Sequence, residues 1–250
     1  SASCTSTSWD GGTAGTVVYG AALPLGTLPL GADRLGRDVL AKAVKGSEVS
    51  VFVGVLAAIV ATLLGTALGA CAGFFGGRTG DALEWVYNVF TSIPGILLIF
   101  AFAAVFGRGI ATVVLILGLT GWTGVYRLVR AEYLKHAQRD YVRAAQAIGA
   151  SAASRMFRHI LPNIMPIMIV QMSLTMGYAI LNAAGLSFIG LGVRPPTPEW
   201  GIMVAEGATF MVSGEWWIAF FPGLALMIAV FCFNLLGDGL RDIVDPQRRT

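Results

Sequence analysis

Few residues in this chain are placed to do covalent chemistry. Its two histidines, His136 and His159, share one charged stretch, and Cys4, Cys71 and Cys232 lie far apart. No CxxC or Cys/His spacing joins them into a metal site, and no HExxH or GxSxG pattern supplies a metal-bound water or an activated serine. A GxxxxGK(S/T) phosphate loop is also missing from these residues. His159 reads as a loop or capping residue, and Cys71 and Cys232 as buried packing residues of apolar runs.

The spacing offers a mechanical element instead. Asp140 precedes Tyr141-Val142-Arg143-Ala144-Ala145-Gln146-Ala147-Ile148, and Gly149 and Ala150 follow. An Asp N-cap and a Gly at C′ predict a two-turn helix about 12 Å long. Tyr141, Ala144, Ala145 and Ile148 share one face by their 3–4 spacing. Ser151 can cap a second short helix, with Met156, Phe157, Ile160 and Leu161 on its apolar side and Arg155, Arg158 and His159 elsewhere. Pro162 then leads into the next apolar run. Two short helices joined by a glycine make a compact knob. Ala144, Ala145 and Gly149 are small enough for another protein's surface to approach the backbone, and Ala145 is expected to face that surface. The plainer alternative is an amphipathic hairpin lying on lipid headgroups.

The other polar residues of interest are amides in apolar surroundings: Asn88, Gln171, Asn182 and Asn234. Such residues face the interior of a helix bundle. There they either bond between helices or line a polar path. An uncharged path would be wide and weakly selective, which suits peptides, whose backbone is constant while their side chains vary.

The elements that position these residues follow from composition. The chain has 250 residues, 56% apolar and 12% charged, and a mean hydropathy of +0.73. A soluble domain carries about 45–50% apolar and about 25% charged residues. This composition excludes an ordinary soluble enzyme, a disordered chain and a fibrous protein, and predicts an all-α integral membrane protein. The net charge of +3 is too small to argue for nucleic acid. Five stretches are long and apolar enough to cross a bilayer: 50–75, 85–106, 110–126, 164–191 and 216–236. Residues 13–31 are apolar but interrupted by Pro24, Pro29 and glycines, and read as extended and non-spanning.

Lys and Arg set the orientation. One side holds Arg78, the basic residues between Arg127 and Arg158, and Arg241, Arg248 and Arg249. The other holds Arg34, Arg37, Lys42, Lys45, Arg108 and Arg194. The richer side is expected to be cytoplasmic. Residues 1–47 then form an extracytoplasmic segment, 48–238 the membrane domain with a cytoplasmic loop at 127–163, and 239–250 a cytoplasmic tail. An odd span count with an outside N-terminus implies a sixth, N-terminal span before Ser1. Residues 195–215 form an outside loop, stiffened by Pro195, Pro196 and Pro198, with a short helix near 200–212. That helix is expected to line the outer mouth as a gate, with Trp200, Trp216 and Trp217 in the headgroup belt.

An ordered set of motifs also resembles a known family. Tyr141-Val142, Ala144-Ala145, Gly149-Ala150-Ser151 and His159-Ile160-Leu161-Pro162-Asn163 are similar to the coupling-loop motif of ABC-importer permeases. Leu35-Gly36-Arg37-Asp38 and Ala72-Gly73-Phe74-Phe75-Gly76-Gly77 extend the likeness. So do Pro195-Pro196-Thr197-Pro198-Glu199-Trp200-Gly201, Phe221-Pro222-Gly223, Asn234-Leu235-Leu236-Gly237-Asp238 and Asp245-Pro246. The pattern looks most like the peptide (dipeptide, oligopeptide and nickel) branch, C-type dipeptide permease subunits in particular, over about residues 30 to 250. Arg143 stands where the general motif has Glu.

The resemblance implies a type I ABC importer transmembrane domain in the bacterial plasma (inner) membrane. It implies a multi-pass, non-catalytic subunit paired with a second homologous permease, two cytoplasmic ABC ATPases and an extracytoplasmic solute-binding protein. ATP and Mg would be bound by the ATPases, with no cofactor in this subunit. Tyr141, Ala144, Ala145, Gly149, Ala150, Ser151, Arg155 and His159 would form the ATPase-coupling element. Peptide would be the substrate, with nickel, glutathione or haem as alternatives of the same architecture. A secondary carrier is a weaker reading, since such carriers usually hold ionisable residues at mid-membrane and the first and fourth apolar runs have none.

Overall fold

The computed structural model describes residues 6–7, 19–20, 30–33 and 35–244. Most of the segment read as extended at 13–31 lies outside the described residues, as do Cys4, Arg34, Asp245-Pro246, Arg248 and Arg249. Ser6–Thr7 (β1) and Tyr19–Gly20 (β2) pair as a small antiparallel ladder. The other regular elements among the described residues are helices, apart from an isolated bridge between Ala32 and Asp38.

Helix α1, Val39–Phe75, is capped by Asp38, whose side chain accepts from Leu40 N. At 1.5 Å per residue it is about 55 Å long, well beyond the roughly 30 Å of hydrocarbon. It packs on α4, Ile110–Ala137. Gly65, Gly69 and Gly73 recur every four residues and make that contact close. A Cβ on Gly65 would lie 2.7 Å from Trp122 O, one on Gly69 2.8 Å from Tyr126 O, and one on Gly73 2.7 Å from Arg130 O. Close backbone approach through small residues is how helices gain van der Waals contact where lipid offers no hydrophobic drive. Tyr126 and Tyr133 of α4 are fully buried, and each hydroxyl has a partner: Tyr126 donates to Glu84 Oε2 at 3.3 Å, Tyr133 to Met156 O at 3.2 Å.

The run expected as one span at 85–106 is broken. Helices α2, Gly77–Ser92, and α3, Gly95–Phe106, meet at 89°. Pro94 explains the break, because it has no N–H to continue the ladder and pushes Ile93 out of helical geometry. Thr91 and Ser92 hydroxyls bond back to carbonyls of Tyr87 and Val89 at 3.0 and 2.8 Å. Four described helices are long and apolar enough to cross a membrane, or five if the bent pair is one span.

Two helices outrun their expected ends. α4 continues to Ala137, so the first part of the 127–163 loop is helix. After α5, Asp140–Ala147, comes one continuous helix, Ala152–Phe188. It begins with a turn at Ala152–Ser154 (α6), widens into a π-turn at Arg155–Ile160 and runs on as α7, Leu161–Phe188. The expected knob of two separate helices is therefore one short helix, α5, beside the base of a span. Charged residues at a membrane boundary resemble a loop in sequence, but helical hydrogen bonds continue through them.

At the opposite end of α7 lies α8, Trp200–Ala208, followed by α9, Trp217–Val244. α8 is wedged among α1, α7 and α9. Trp200 is 4% exposed and its Nε1 donates to Ala43 O at 2.8 Å, so it belongs to the interior and not to the headgroup belt. Trp217 Nε1 donates to Ala32 O at 3.2 Å, while Trp216 is exposed. Lys42 pairs with Glu206 at 2.6 Å and with Asp33 at 3.7 Å, tying the start of α1 to α8 and to the preceding segment. Cys71 is half-buried against a core cluster; Cys232, expected to be buried, is exposed.

Candidate functional site

Two regions bring the sequence candidates together. The first is α5. Its N-cap is Arg139, one residue before the expected Asp140, which instead opens the first turn. Its C-terminus is a Schellman motif: Ala150 N donates to Ala145 O and Gly149 N to Gln146 O, both at 3.0 Å. Gly149 has φ +84°, the left-handed geometry that favours glycine, and open space around its missing Cβ. Ser151 caps the following helix through Oγ, which accepts from Ser154 N at 3.2 Å.

The helix has two adjoining apolar stripes, and only one can face the body of the protein. Val142 and Ala145 do so, at 2% and 5% exposure, and Val142 joins the core formed with Val129, Tyr133, Met156 and Ile160. Ala145 is therefore turned inward, contrary to the expectation that it faces a partner. Tyr141, Ala144 and Ile148 point outward, Ile148 at 86% exposure. At the base of the following helix Phe157 is 61% exposed, and Arg143 and Arg158 are exposed as well. Exposed apolar groups with a polar surround mark an interaction surface.

The corner between α4 and α5 is pinned by His136 Nδ1 and the Tyr141 hydroxyl, 2.7 Å apart. Arg155 Nη1 donates to Gln146 Oε1 at 2.6 Å. His159 is half-buried, and its carbonyl accepts from Asn163 Nδ2 at 2.5 Å.

The second region is a cavity of about 750 Å³ among α1, α3, α4, α7 and α9. It gathers Gln171, Asn182 and Asn234. Asn88 lies elsewhere, exposed on α2. Thr120, Thr123, Thr175 and Tyr178 complete the polar lining, and no acidic or basic side chain contributes. Sequence reasoning missed these four. For Thr175 and Tyr178 the signal was present, because Gln171, Thr175, Tyr178 and Asn182 fall on one helical face at spacings of 4, 3 and 4.

Three of the polar side chains bond to their own helices. Asn182 Nδ2 donates to Tyr178 O at 2.7 Å, Thr175 to Gln171 O at 2.8 Å and Thr120 to Ile116 O at 2.9 Å. Gln171, Asn234, Thr123 and Tyr178 complete a lining of uncharged amide and hydroxyl groups. Such a wall can exchange hydrogen bonds with a polar solute without fixing a charge. No residue of α8 lines this cavity.

Residues 65–250 match the family described as "Binding-protein-dependent transport system inner membrane component". The chain is 43% identical over 209 residues to the dipeptide transport system permease protein DppC of Escherichia coli (strain K12), covering 84% of this chain and 69% of that protein. It is 41% identical over 209 residues to the glutathione transport system permease protein GsiD of Escherichia coli (strain 536), again covering 84% and 69%. The chain thus spans about two thirds of the length of these relatives. An inward-facing structure of the MetNI methionine ABC transporter shares its fold, with a TM-score of 0.67 at 17% identity over 83% of this chain and 98% of that one. The chain belongs to the binding-protein-dependent transport system inner membrane component family: it is a membrane permease with the transmembrane fold of a type I ABC importer.

Proposed function

We propose that this permease forms one half of the path by which an ATP-driven importer carries peptides, delivered by an extracytoplasmic binding protein, across the inner membrane. A second homologous permease completes the path. Two cytoplasmic ATPases bind ATP and Mg and drive it, and this subunit is not itself a catalyst. α5 seats in a cleft of one ATPase, with its end of the bundle and the C-terminus in the cytoplasm. Closure of the ATPases moves α5, and the attached spans alternate between inward- and outward-facing arrangements.

The observation that carries this reading is the outward stripe of α5. Val142 and Ala145 hold the helix to the bundle, while Tyr141, Ala144 and Ile148 remain uncovered beside basic residues. The uncharged cavity supports the peptide assignment, since a wall of hydroxyls and amides can serve a constant backbone. The likeness to a dipeptide permease supports it too. The glutathione permease relative favours a second reading within the same architecture, because glutathione is itself peptide-like.

Reconstitution tests the function. The complex in proteoliposomes, with its binding protein outside and ATP inside, should accumulate labelled dipeptide and should ignore an uncoupler. Uptake without ATP, or uptake that collapses with the proton gradient, contradicts it. Measuring the ligand of the binding protein separates dipeptide from glutathione.

A further inference from the structure

Arg155 sits where several elements meet. It opens the π-turn Arg155–Ile160 at the base of α7. One edge of its guanidinium donates to Gln146 of α5 at 2.6 Å. Its carbon centre lies 5.3 Å from the ring centroid of Phe74, in the last turn of α1. The carbonyl of the next residue, Met156, accepts from Tyr133 of α4 at 3.2 Å. Two consecutive residues thus touch α5, α1 and α4 at the foot of α7. Arg155 Nε is buried without a hydrogen bond, so this part of the guanidinium is enclosed by the permease's own body.

The chemistry suits a joint. A planar guanidinium can lie against an aromatic face and donate from its edge at once; an ammonium cannot do both with fixed geometry. Phe74 lies one residue beyond Gly73, the last contact of the glycine stripe against α4. A displacement reaching Phe74 is therefore delivered to the tightly packed α1–α4 pair as a unit. π-turns recur at functional positions, and this one stands between α5 and the span that lines the cavity.

We propose that Arg155 is a positioning residue, the joint through which movement of α5 is passed to α1, α4 and α7, and that it does not itself touch the ATPase. This rests on the reading that α5 docks to an ATPase, and goes further by assigning the internal route.

The test uses the whole complex, both permeases, the ATPases and the binding protein, in proteoliposomes. ATPase retention, ATP hydrolysis and uptake are measured for Arg155→Lys, Phe74→Leu and the double variant. Arg155→Lys should retain the ATPases and hydrolyse ATP near the wild-type rate, while ATP consumed per substrate moved rises about tenfold, the size of a typical coupling term. Phe74→Leu should raise the ratio less, and the double variant should be no worse than Arg155→Lys alone. Gln146→Leu, on the exposed side of α5, keeps the test decisive if Arg155→Lys fails to insert, and should raise the same ratio. An unchanged ratio, or uptake falling only in step with loss of bound ATPase, overturns the proposal. Ile148→Asp separates the two readings. If it leaves ATPase binding and uptake intact, docking through α5 is wrong whatever Arg155 does.

Discussion

α5 and α8 are two short helices of similar length at opposite ends of α7, and the bundle treats them in opposite ways. α8 is built in. Trp200, Gly201, Ile202, Met203 and Gly207 are buried. Glu199 caps the helix at 1% exposure, accepting from Ile202 N at 3.1 Å and from the Ser50 hydroxyl at 3.3 Å. A Cβ on Gly201 or Gly207 would strike the backbone of Ala184 or Ala219. α5 is held by Val142 and Ala145, and its most exposed apolar residue, Ile148, faces outward. Apolar content does not tell the two apart. Glycine inside the helix does, because it lets α8 lie flush on its neighbours, whereas the glycine of α5 comes after its end. The uncovered apolar side chains of α5 are the ones the proposed docking uses.

The contrast breaks most sharply at α8. Gly201→Val should cost about 3 kcal/mol or more through overpacking against fixed backbone. Little intact permease should then appear by size-exclusion chromatography. Recovery at the wild-type level would mean that α8 is not wedged as described. At α5 the expected outcome is reversed. Ile148→Asp should change thermal stability by no more than about 0.5 kcal/mol, yet weaken ATPase binding by about 2 kcal/mol, roughly thirtyfold, if Ile148 is an interface hot spot. Affinity of the ATPase for membranes bearing the variant measures it. Ala145→Trp, by contrast, should unsettle the permease itself, because that side chain points inward.

Glu199 sharpens the comparison through pH. Burial raises its carboxyl above the ordinary range, against opposing hydrogen bonds from Gly201, Ser187, Ile202 and Ser50. A folded pKa above the unfolded one means that the folded state holds the proton more tightly. Its stabilising contribution is thus full below the ordinary carboxylate pKa and lost as pH rises through the raised value. Thermal unfolding of the purified complex between about pH 5 and pH 8 should show this dependence, and Glu199→Gln should flatten it. Glu199→Ala should cost about 1–2 kcal/mol as a lost cap. Gly149→Val should cost a similar amount, about 1–2 kcal/mol of left-handed strain with no clash, since the space around it is open, which thermal unfolding measures.

Local signals in the sequence carried over well into the structure. Gly149 and Ser151 end one helix and cap the next as their residue types require, and three of the four amides meet in one cavity. The misreadings came from competition between signals. Pro94 was visible, but the apolar run around it suggested one continuous span. The charges from Arg127 to Arg158 read as loop although helices run through both ends of that stretch. Ala144 and Ala145 are equivalent by composition. Only packing decides that the stripe shared with Val142 goes inward, and with it Ala145. The orientation of α8 depends on contacts with α1, α7 and α9, which no local pattern contains.

The most direct test of the central claim places one cysteine, Ile148→Cys, in a variant lacking Cys4, Cys71 and Cys232. A membrane-impermeant thiol reagent is applied to intact cells and to inside-out vesicles with and without bound ATPases. The account predicts no labelling in intact cells, strong labelling in stripped vesicles, and protection once the ATPases are restored. Labelling from outside, or equal labelling with and without the ATPases, would contradict it.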